Sequence, residues 1–404
     1  MDVTEAKASV DREIERITDL LLEVSHDIHA HPELGYEEHH AHEALCVAAE
    51  KSGAPVEIER GAYGLDTAFS MAAGGHGPSV AVVCEYDALP GIGHACGHNV
   101  IGSAGLGAGL ATAALAEQLG GRLRILGTPA EEGGGGKIAM IANGALEGID
   151  AALMVHPAGE DLPAMDTLAN AQLQVNYTGA AAHAASAPWE GINALDAAVL
   201  GYNAVAALRQ HIKPDERIHG VFTDGGDKAN IVPQTAGAHW MVRSPTLAGL
   251  ERLKPRVVAC LEGAARAAGC EIELVWVGPV YADVVTNDAM IGAYARNAEL
   301  VGRPLKFGDD ARQRVTGSTD LGNMSHLVPA IHPMIQVSPP EVVIHTPEFE
   351  RCAGSAPGDA AVIDGARIMA HTVVDLWSDA DLLGAVKAEF DAVADRRGWS
   401  PAPE

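Results

Sequence analysis

The chain has 404 residues, and at roughly 100–200 residues per domain this length predicts two or three domains with well-buried cores. It carries 54 Asp and Glu against 27 Lys and Arg, a formal net charge of -27. This excess of negative charge argues against nucleic acid or an anionic membrane as a general partner. Hydrophobic residues make up 48% and charged residues 20%, which is typical of folded globular domains and excludes a largely disordered chain.

The cysteines and the N-terminal segment bear on the compartment. Six cysteines are scattered without paired spacing, which is typical of a reducing compartment and predicts no disulfides. The N-terminal segment is charged from its second residue and lacks the apolar run of a signal peptide. The longest uncharged stretch, 100–116, is shorter than a membrane span of about 20 residues, so we expect a buried helix there. These features predict a cytoplasmic protein.

An amphipathic helix is predicted at the start of the chain. Its apolar residues recur at helical spacing before Pro32, at Val10, Ile14, Ile17, Leu21, Val24 and Ile28. Further on, short apolar runs predict strands buried on both faces, at 79–84, 122–127, 151–155 and 334–337. Helical segments separate the earlier runs. This alternation predicts an α/β fold with a mixed, mostly parallel sheet flanked by helices.

The middle of the chain follows a different order. It shows a strand around 173–179, a helix at about 193–211, two further strands, a helix at 247–268 and a strand at 271–277. This β-α-β-β-α-β order is typical of a ferredoxin-like α+β unit. We therefore expect an inserted domain at 170–280, and a first domain made of 1–169 and 281–404.

Chemically active side chains follow three of the predicted strands. Directly after these runs stand Asp87, Glu131, Glu132 and His156, and the loop segment GHACGHN adds Cys96 and His98. Ligands of open α/β sheets lie beyond the carboxyl ends of the strands. Thiolate, imidazole and carboxylate together suit Zn²⁺ or a similar ion. Each motif alone has a simpler interpretation, a packed thiol beside a solvated imidazole or a charged surface loop.

Seven segments taken together identify a family. They are HPELGYEE (31–38), EYDALPGIGHACGHN (85–99), GTPAEEGGGGK (127–137), HAASAPWEGINALDA (183–197), NIVP (230–233), GSTDLGN (317–323) and IHTPEF (344–349). In this order they resemble the dinuclear metallopeptidase family 20, in the branch of aminoacylases and amidohydrolases. HACGHN and GSTDLGN are most similar to p-aminobenzoyl-glutamate hydrolases of the B type and β-alanyl-dipeptidase-like members. Asn99 stands where much of the aminoacylase branch has Asp.

The resemblance implies a metal centre. It places metal ligands at Cys96, His98, Glu132, His156 and His345. It implies two divalent ions per chain, Zn²⁺ or alternatively Mn²⁺, with Cys96 as our candidate for a bridging ligand. Glu131 then serves as the general base, and Asp87 orients a ligand imidazole. The implied fold is a phosphorylase/hydrolase-like catalytic domain carrying the inserted domain as a lid and dimerisation domain.

The resemblance also implies how substrate is held. His183 of the inserted domain is similar to a family histidine that reaches the active site of the partner subunit, which implies a homodimer. Asn230 and Arg243 lie where the family binds a substrate carboxylate, and a guanidinium fork matches that group. The GSTDLGN segment resembles the lining of the substrate pocket, with Ser318, Thr319 and Asp320 as candidate contacts.

The implied activity is hydrolysis of an amide bond by metal-activated hydroxide. Candidate substrates are small N-acyl amino acids, aminobenzoyl-glutamate-like conjugates and dipeptides that carry a free carboxylate. Two alternatives stay open. The same site suits hydrolytic deamination of an aryl amine, which would release ammonia and no amino acid. The chain is also compatible with a non-catalytic partner in a hetero-oligomeric hydrolase, although the filled positions of Glu131 and all the implied ligands argue against it.

Overall fold

The computed structural model of the protein describes residues 1–308 and 316–401. Its helices are α1 (Val3–Ala30), α2 (His39–Ser52), α3 (His98–Ala113), α4 (Ala116–Leu119), α5 (Gly136–Ala142), α6 (Ala194–Leu208), α7 (Leu247–Ala268), α8 (Asp288–Val301), α9 (Leu321–Ser325), α10 (Pro347–Ala353), α11 (Ala356–Ser378) and α12 (Ala380–Ala392). Its strands are β1 (Glu57–Arg60), β2 (Phe69–Ala73), β3 (Ser79–Glu85), β4 (Arg122–Thr128), β5 (Ala151–Leu153), β6 (His156–Ala158), β7 (Asp166–Thr167), β8 (Ala169–Thr178), β9 (Arg217–Asp224), β10 (Thr235–Ser244), β11 (Glu271–Tyr281), β12 (Thr316–Gly317), β13 (Ala330–Ile331) and β14 (Met334–Gln336).

The chain divides into two compact units. The first consists of Met1–Asp166 and Val284–Glu404, and the second of Thr167–Asp283. Within the described residues, no helix is both long and apolar enough to cross a membrane.

The first unit is built on a six-stranded sheet of order β1-β2-β4-β3-β5-β13. β4, β3, β5 and β13 pair in parallel, while β2 and β1 join antiparallel at one edge. Every residue of β3 is buried, as expected for a central strand covered on both faces. The predicted mixed, mostly parallel sheet is therefore confirmed.

One of the predicted strands forms, but it lies in a different sheet from the one expected. The run 334–337 was expected in the main sheet, but Met334–Gln336 pairs with β6 in a separate two-stranded sheet. The outermost strand of the main sheet is β13, which pairs with β5. β5 ends at Leu153, two residues before the end of the apolar run 151–155, and pairing resumes at His156. The apolar pattern does not show this break, because the residues on both sides of it are buried.

Two helices cover the sheet and carry the site. In α1, all six residues of the predicted apolar stripe are buried, and the Asp2 side chain caps the first turn by accepting from Glu5 N–H. In α3, all residues are buried. A Cβ on Gly105 would lie 2.8 Å from the Val83 carbonyl oxygen of β3. Glycine therefore lets α3 approach the sheet closely and brings its N-terminus to the end of β3.

The second unit has the predicted order of elements. Its elements follow one another as β8, α6, β9, β10, α7 and β11. The four strands form an antiparallel sheet of order β11-β8-β10-β9, and α6 and α7 pack on it. α6 begins at an Asn193 cap and α7 at a Thr246 cap, each side chain accepting from backbone N–H groups. The β-α-β-β-α-β prediction is confirmed for these residues.

Candidate metal centre

The candidate ligands gather where the parallel strands end. β3 ends at Glu85 and leads to Asp87, and β4 leads to Glu131 and Glu132. His156 opens β6, the strand that follows β5 in the chain, and His98 opens α3. Because parallel strands present their carboxyl ends at one sheet edge, these side chains converge.

Two groups of ligand atoms share one thiol. The ligand atoms of Cys96, His98 and His156 all lie within 4.8 Å of one another, and so do those of Cys96, Glu132 and His345. Cys96 Sγ is 3.4 Å from His156 Nε2, and His345 Nε2 is 3.4 Å from Glu132 Oε1. Each of the two groups could hold a divalent ion, and Cys96 belongs to both groups.

Hydrogen bonds hold the two buried imidazoles in ligand orientation. His98 Nδ1 lies 3.0 Å from Asp87 Oδ1, and His156 Nδ1 lies 2.8 Å from the Pro157 carbonyl oxygen. With the proton on Nδ1 in each ring, Nε2 presents its lone pair. His98 Nε2 is buried without a hydrogen-bond partner, and the carboxylates of Glu85, Glu131 and Glu132 lie 3.7–3.9 Å away. The donor set therefore fits a divalent cation.

The electrostatics of the cluster also suit cations. Burial, together with repulsion from Glu85 and Glu132, raises the pKa of Glu131 well above its ordinary value. Burial and the nearby Glu132 likewise raise the pKa of the Cys96 thiol. Burial lowers the pKa of His156 to about 4, which keeps its imidazole neutral. Bound cations would relieve the repulsion among these anionic groups and would favour the thiolate form of Cys96.

Strained backbone supports two of these side chains. His345 has φ 65° and Ala130, directly before Glu131, has φ 55°. Such conformations cost non-glycine residues about 1–3 kcal/mol and persist only where surrounding contacts enforce them. The His345 N–H donates to the Ala95 carbonyl oxygen at 2.8 Å, which ties the His345 loop to the segment before Cys96.

Asn99 has a role that an aspartate would not fill. Its buried amide donates to Ser25 Oγ at 3.0 Å and to the Ala353 carbonyl oxygen at 3.2 Å. These bonds join α3 to α1 and α10. An aspartate carboxylate has no N–H to donate to a carbonyl oxygen. Asn99 in place of the aspartate of the aminoacylase branch therefore allows the hydrogen bond to Ala353.

Three charged or ring groups near the cluster were given no role from the sequence, although Glu85 was noted there at the end of a predicted strand. Glu85 and Lys137 form a buried ion pair with 2.6 Å between Oε1 and Nζ. His332 is buried, and its ring centroid lies 5.2 Å from that of His156. A signal existed for Glu85 and His332, because each lies at or directly after the end of a parallel strand.

The GSTDLGN residues lie deeper than expected for substrate contacts. The Asp320 carboxylate is buried and accepts from Lys137 Nζ at 2.6 Å. Thr319 is buried, and its Oγ1 accepts from the Leu321 N–H at 3.2 Å. Ser318 is half-buried. Their contact with substrate stays a prediction.

The second unit holds the remaining candidates. His183 is exposed, and its Nδ1 accepts from the N–H groups of Ala185 and Ser186, each at 3.2 Å. The neutral ring therefore carries its proton on Nε2. The Asn230 carbonyl oxygen accepts from the Ala184 N–H at 3.0 Å, so Asn230 neighbours His183. The Arg243 guanidinium packs on Met241 Sδ, 2.8 Å from Nη2.

The fold and the ligand cluster together define a metal-dependent hydrolase. Residues 81–375 match the model of Peptidase family M20/M25/M40. The chain belongs to this family, and it is a metal-dependent hydrolase of amide bonds, as the resemblance implied.

Individual relatives cover nearly the whole chain. The Xaa-Arg dipeptidase of Mus musculus is 37% identical over 390 residues, covering 93% of this chain and 90% of the mouse protein. One of the two p-aminobenzoyl-glutamate hydrolase polypeptides of Escherichia coli is 28% identical, covering 98% of this chain and 97% of its own length. A Bacillus subtilis dinuclear metal binding peptidase of the M20 family superposes with a TM-score of 0.70 at 19% identity, covering 90% of this chain and 99% of that one. This last likeness supports the fold.

Proposed function

We propose that the protein is a dipeptidase that cleaves the amide bond before a C-terminal basic residue. The observation that carries the hydrolysis of an amide bond is the pair of ligand groups sharing Cys96 Sγ, with the Glu131 carboxyl group 3.9 Å from His98 Nε2. The likeness to a Xaa-Arg dipeptidase over 93% of the chain supports the substrate class.

The charge of the chain favours that substrate over an acidic one. With a net charge of -27, the protein attracts cations and repels anions at long range. A dipeptide ending in Arg or Lys carries a positive side chain, whereas aminobenzoyl-glutamate carries two carboxylates. Hydrolysis of aminobenzoyl-glutamate is the second candidate, supported by the likeness to the Escherichia coli hydrolase polypeptide.

The proposed mechanism divides the work among the named residues. Cys96, His98, Glu132, His156 and His345 would hold the divalent ions, which when bound would polarise the amide carbonyl and lower the pKa of water from about 15.7 towards 7. Glu131 accepts the proton from water and delivers it to the departing amine nitrogen, the work of a general base and then a general acid. Asp87 holds the His98 ring in place. Zn²⁺ is our proposed ion because of the Cys96 thiolate, with Mn²⁺ as the alternative.

We further propose that the active form is a homodimer. In the second unit, β9 ends the strand order, and its Val221 and Phe222 are 64% and 46% exposed. An apolar edge strand of this kind is a ready surface for a second copy. In the dimer, His183 donates from Nε2 to the carbonyl oxygen of substrate held by the partner chain, and Arg243 with Asn230 receives the substrate carboxylate.

The test combines metal content with a substrate panel. We expect about two metal equivalents in the purified wild type and a clear loss in Cys96→Ala. The panel contains Xaa-Arg, Xaa-Lys and Xaa-Glu dipeptides, N-acetyl amino acids and aminobenzoyl-glutamate, and we expect the basic dipeptides to have the highest kcat/KM.

Two variants separate chemistry from binding. Glu131→Gln should keep both ions and lose about 10²–10⁴-fold in kcat, the usual share of a general base. The matched control, Glu117→Gln at an exposed position, should match the wild type.

Ammonia release without amino-acid release would favour the deaminase, and full activity of a hetero-complex containing Glu131→Gln would favour the non-catalytic partner. Absence of bound ions after reconstitution would overturn the metal centre.

A further inference from the structure

A lysine side chain is buried beside the metal centre. Lys137 is 1% exposed, and its Nζ lies 2.6 Å from Glu85 Oε1 and 2.6 Å from Asp320 Oδ1. Its backbone N–H also donates to Asp320 Oδ2 at 3.0 Å. A buried ammonium is costly unless paired, and here it is paired with two carboxylates. We name Glu85, Lys137 and Asp320 the buried triad.

The triad joins three separate segments. Glu85 ends β3, Lys137 lies in the first turn of α5, and Asp320 directly precedes α9. Glu85 also borders the ligand cluster, because its Oε2 is 3.7 Å from His98 Nε2. The triad therefore runs from the metal centre into the core of the first unit.

Lys137 also ends the loop that carries the general base and a metal ligand. Four consecutive glycines, 133–136, separate Glu132 from Lys137, and glycine gives a chain unusual conformational freedom. Before the glycines, the loop is anchored where the Ala130 N–H donates to Glu38 Oε1 at 2.7 Å. Tyr36 adds a bond from its hydroxyl to the Gly134 carbonyl oxygen at 2.7 Å. After the glycines, the buried triad is the anchor.

We propose that Lys137 is a positioning residue, which clamps the far end of the glycine loop to Glu85 and Asp320 and so fixes Glu131 and Glu132 relative to His98. This inference rests on the amide hydrolase function proposed above. Misplacement of a reacting group by about 1 Å costs on the order of 10²-fold in rate. The clamp thus acts on kcat and on the geometry of the bound ion.

The experiment compares variants that differ in buried charge. Lys137→Met leaves two unpaired carboxylates. The triple variant Glu85→Gln, Lys137→Met, Asp320→Asn removes all three charges of the triad and leaves none of them unpaired, so it separates folding from positioning. Glu85→Gln alone keeps the ion pair of Lys137 and Asp320, so its difference from the triple variant isolates the loss of that pair from the loss of the Glu85 charge beside His98. The matched control is Lys387→Met, which removes an exposed lysine whose Nζ is 2.6 Å from Asp150.

Three quantities are measured: thermal unfolding of the metal-free protein, the visible absorption of the Co²⁺-substituted protein, and kcat with KM on the best basic dipeptide. For the triple variant we expect near wild-type unfolding, an altered Co²⁺ spectrum, and kcat reduced about 100-fold with KM changed less than about threefold. Lys387→Met should leave the spectrum and both kinetic constants unchanged.

A folded triple variant with the wild-type Co²⁺ spectrum and kcat would overturn the clamp. A triple variant that fails to fold would overturn it too, because it would assign the triad to the stability of the core alone. The Co²⁺ spectrum is measured without substrate, so it tests the clamp independently of hydrolysis. If the wild type cleaves no peptide of the panel, that result counts against the proposed function and not against the clamp. A wild type that takes up no Co²⁺ would overturn both.

Discussion

Asp87 contacts two parts of the candidate metal centre with one carboxylate. Its Oδ1 lies 3.0 Å from His98 Nδ1, and its Oδ2 accepts from the Glu132 N–H at 3.0 Å. One oxygen therefore contacts the ring of the candidate ligand His98, and the other accepts from the backbone of the candidate ligand Glu132. Partners of this kind commonly account for 10–100-fold in metal affinity.

Asp87→Asn is expected to weaken metal binding about 10–100-fold. The amide keeps the volume of the carboxylate, but it loses the negative charge and offers an N–H where His98 or Glu132 needs an acceptor. Titration with Zn²⁺ against a competing chelator measures the change. Asp283→Asn is the control, because Asp283 is a buried aspartate of the second unit that accepts from the Leu247 N–H. Equal affinities in Asp87→Asn and the wild type would refute the role of Asp87.

At the scale of single residues, the family resemblance supplies the candidate ligands but not the groups that support them. The motifs single out Cys96, His98 and His156 as candidates, and the structure brings their donor atoms within 4.8 Å of one another. Lys137 has no comparable signal. Its importance depends on Asp320, 183 residues away in the chain, and a pairing at that separation is visible only after folding.

At the scale of elements, α3 depends on the absence of side chains. A Cβ at Gly105 would lie 2.7 Å from Cys84 Sγ and 2.8 Å from the Val83 carbonyl oxygen. The second of these atoms is backbone in the central strand β3, so it cannot move without breaking the ladder. We therefore expect Gly105→Ala to lower the free energy of unfolding by about 1–3 kcal/mol, the usual cost of overpacking. Urea unfolding of the metal-free protein measures it.

Gly384→Ala provides the control for that prediction. Gly384 lies inside α12, is exposed, and has nothing within 4 Å of an added Cβ. There the substitution should stabilise the protein by about 0.4–1 kcal/mol, because alanine reduces the freedom of the unfolded chain. Destabilisation of both variants by the same amount would contradict the close approach of α3 to the sheet.

Helix α2 carries a buried histidine that couples its packing to pH. His42 is 7% exposed, its ring lies against Phe69 with centroids 6.0 Å apart, and burial lowers its pKa from the ordinary 6.5. Below pH 6.5 the unfolded chain binds a proton here that the folded chain resists. Stability is therefore lost as pH falls from 6.5 towards the lowered pKa, at up to about 1.4 kcal/mol per pH unit.

His42→Gln should reduce that acid sensitivity. We expect the difference in unfolding free energy between pH 7.5 and pH 5 to be smaller in the variant than in the wild type, measured by urea unfolding with a chelator present. His76→Gln, at an exposed position, should leave the difference unchanged. An identical pH dependence in His42→Gln and the wild type would show that this side chain does not resist protonation in the folded protein.

The elements themselves were predictable where one pattern dominates. The apolar stripe of α1 and the buried runs of β3 and β4 depend on local periodicity, and they lie where expected. β1 was not predicted, because EIER at 57–60 is mostly exposed and polar. It forms only because Phe69–Ala73 offers a pairing edge. The run 334–337 lies in a different sheet from the one predicted because its partner is β6. That pairing, like the pairing of β1, depends on a segment distant in the chain and is not visible in the local pattern.

At the scale of the whole molecule, two sheet edges are exposed in the second unit, and they differ. β9 forms one edge, and its charged residues Arg217 and Asp224 stand at its two ends. Between them Val221 and Phe222 are exposed beside Tyr202 of α6, whose ring centroid is 5.7 Å from that of Phe222. β11 forms the other edge, and it alternates Glu271 and Glu273 with apolar residues. Charged side chains on an edge strand discourage pairing with another chain, so the β9 edge is the better surface for a second copy.

Val221→Glu combined with Phe222→Glu is therefore expected to convert the proposed dimer to a monomer, measured by light scattering after size-exclusion chromatography. Metal content should stay at the wild-type level, because the ligand cluster lies in the first unit. The kcat should fall by at least about 10²-fold, the usual effect of losing a donor to the carbonyl oxygen, because a monomer lacks the partner's histidine. Val275→Glu on β11, at a position 42% exposed, is the matched control and should remain dimeric and active. A double variant that is monomeric and fully active would show that His183 does not act on substrate held by a partner chain. A wild type that is already monomeric would show that pairing through the β9 edge has no part in the mechanism.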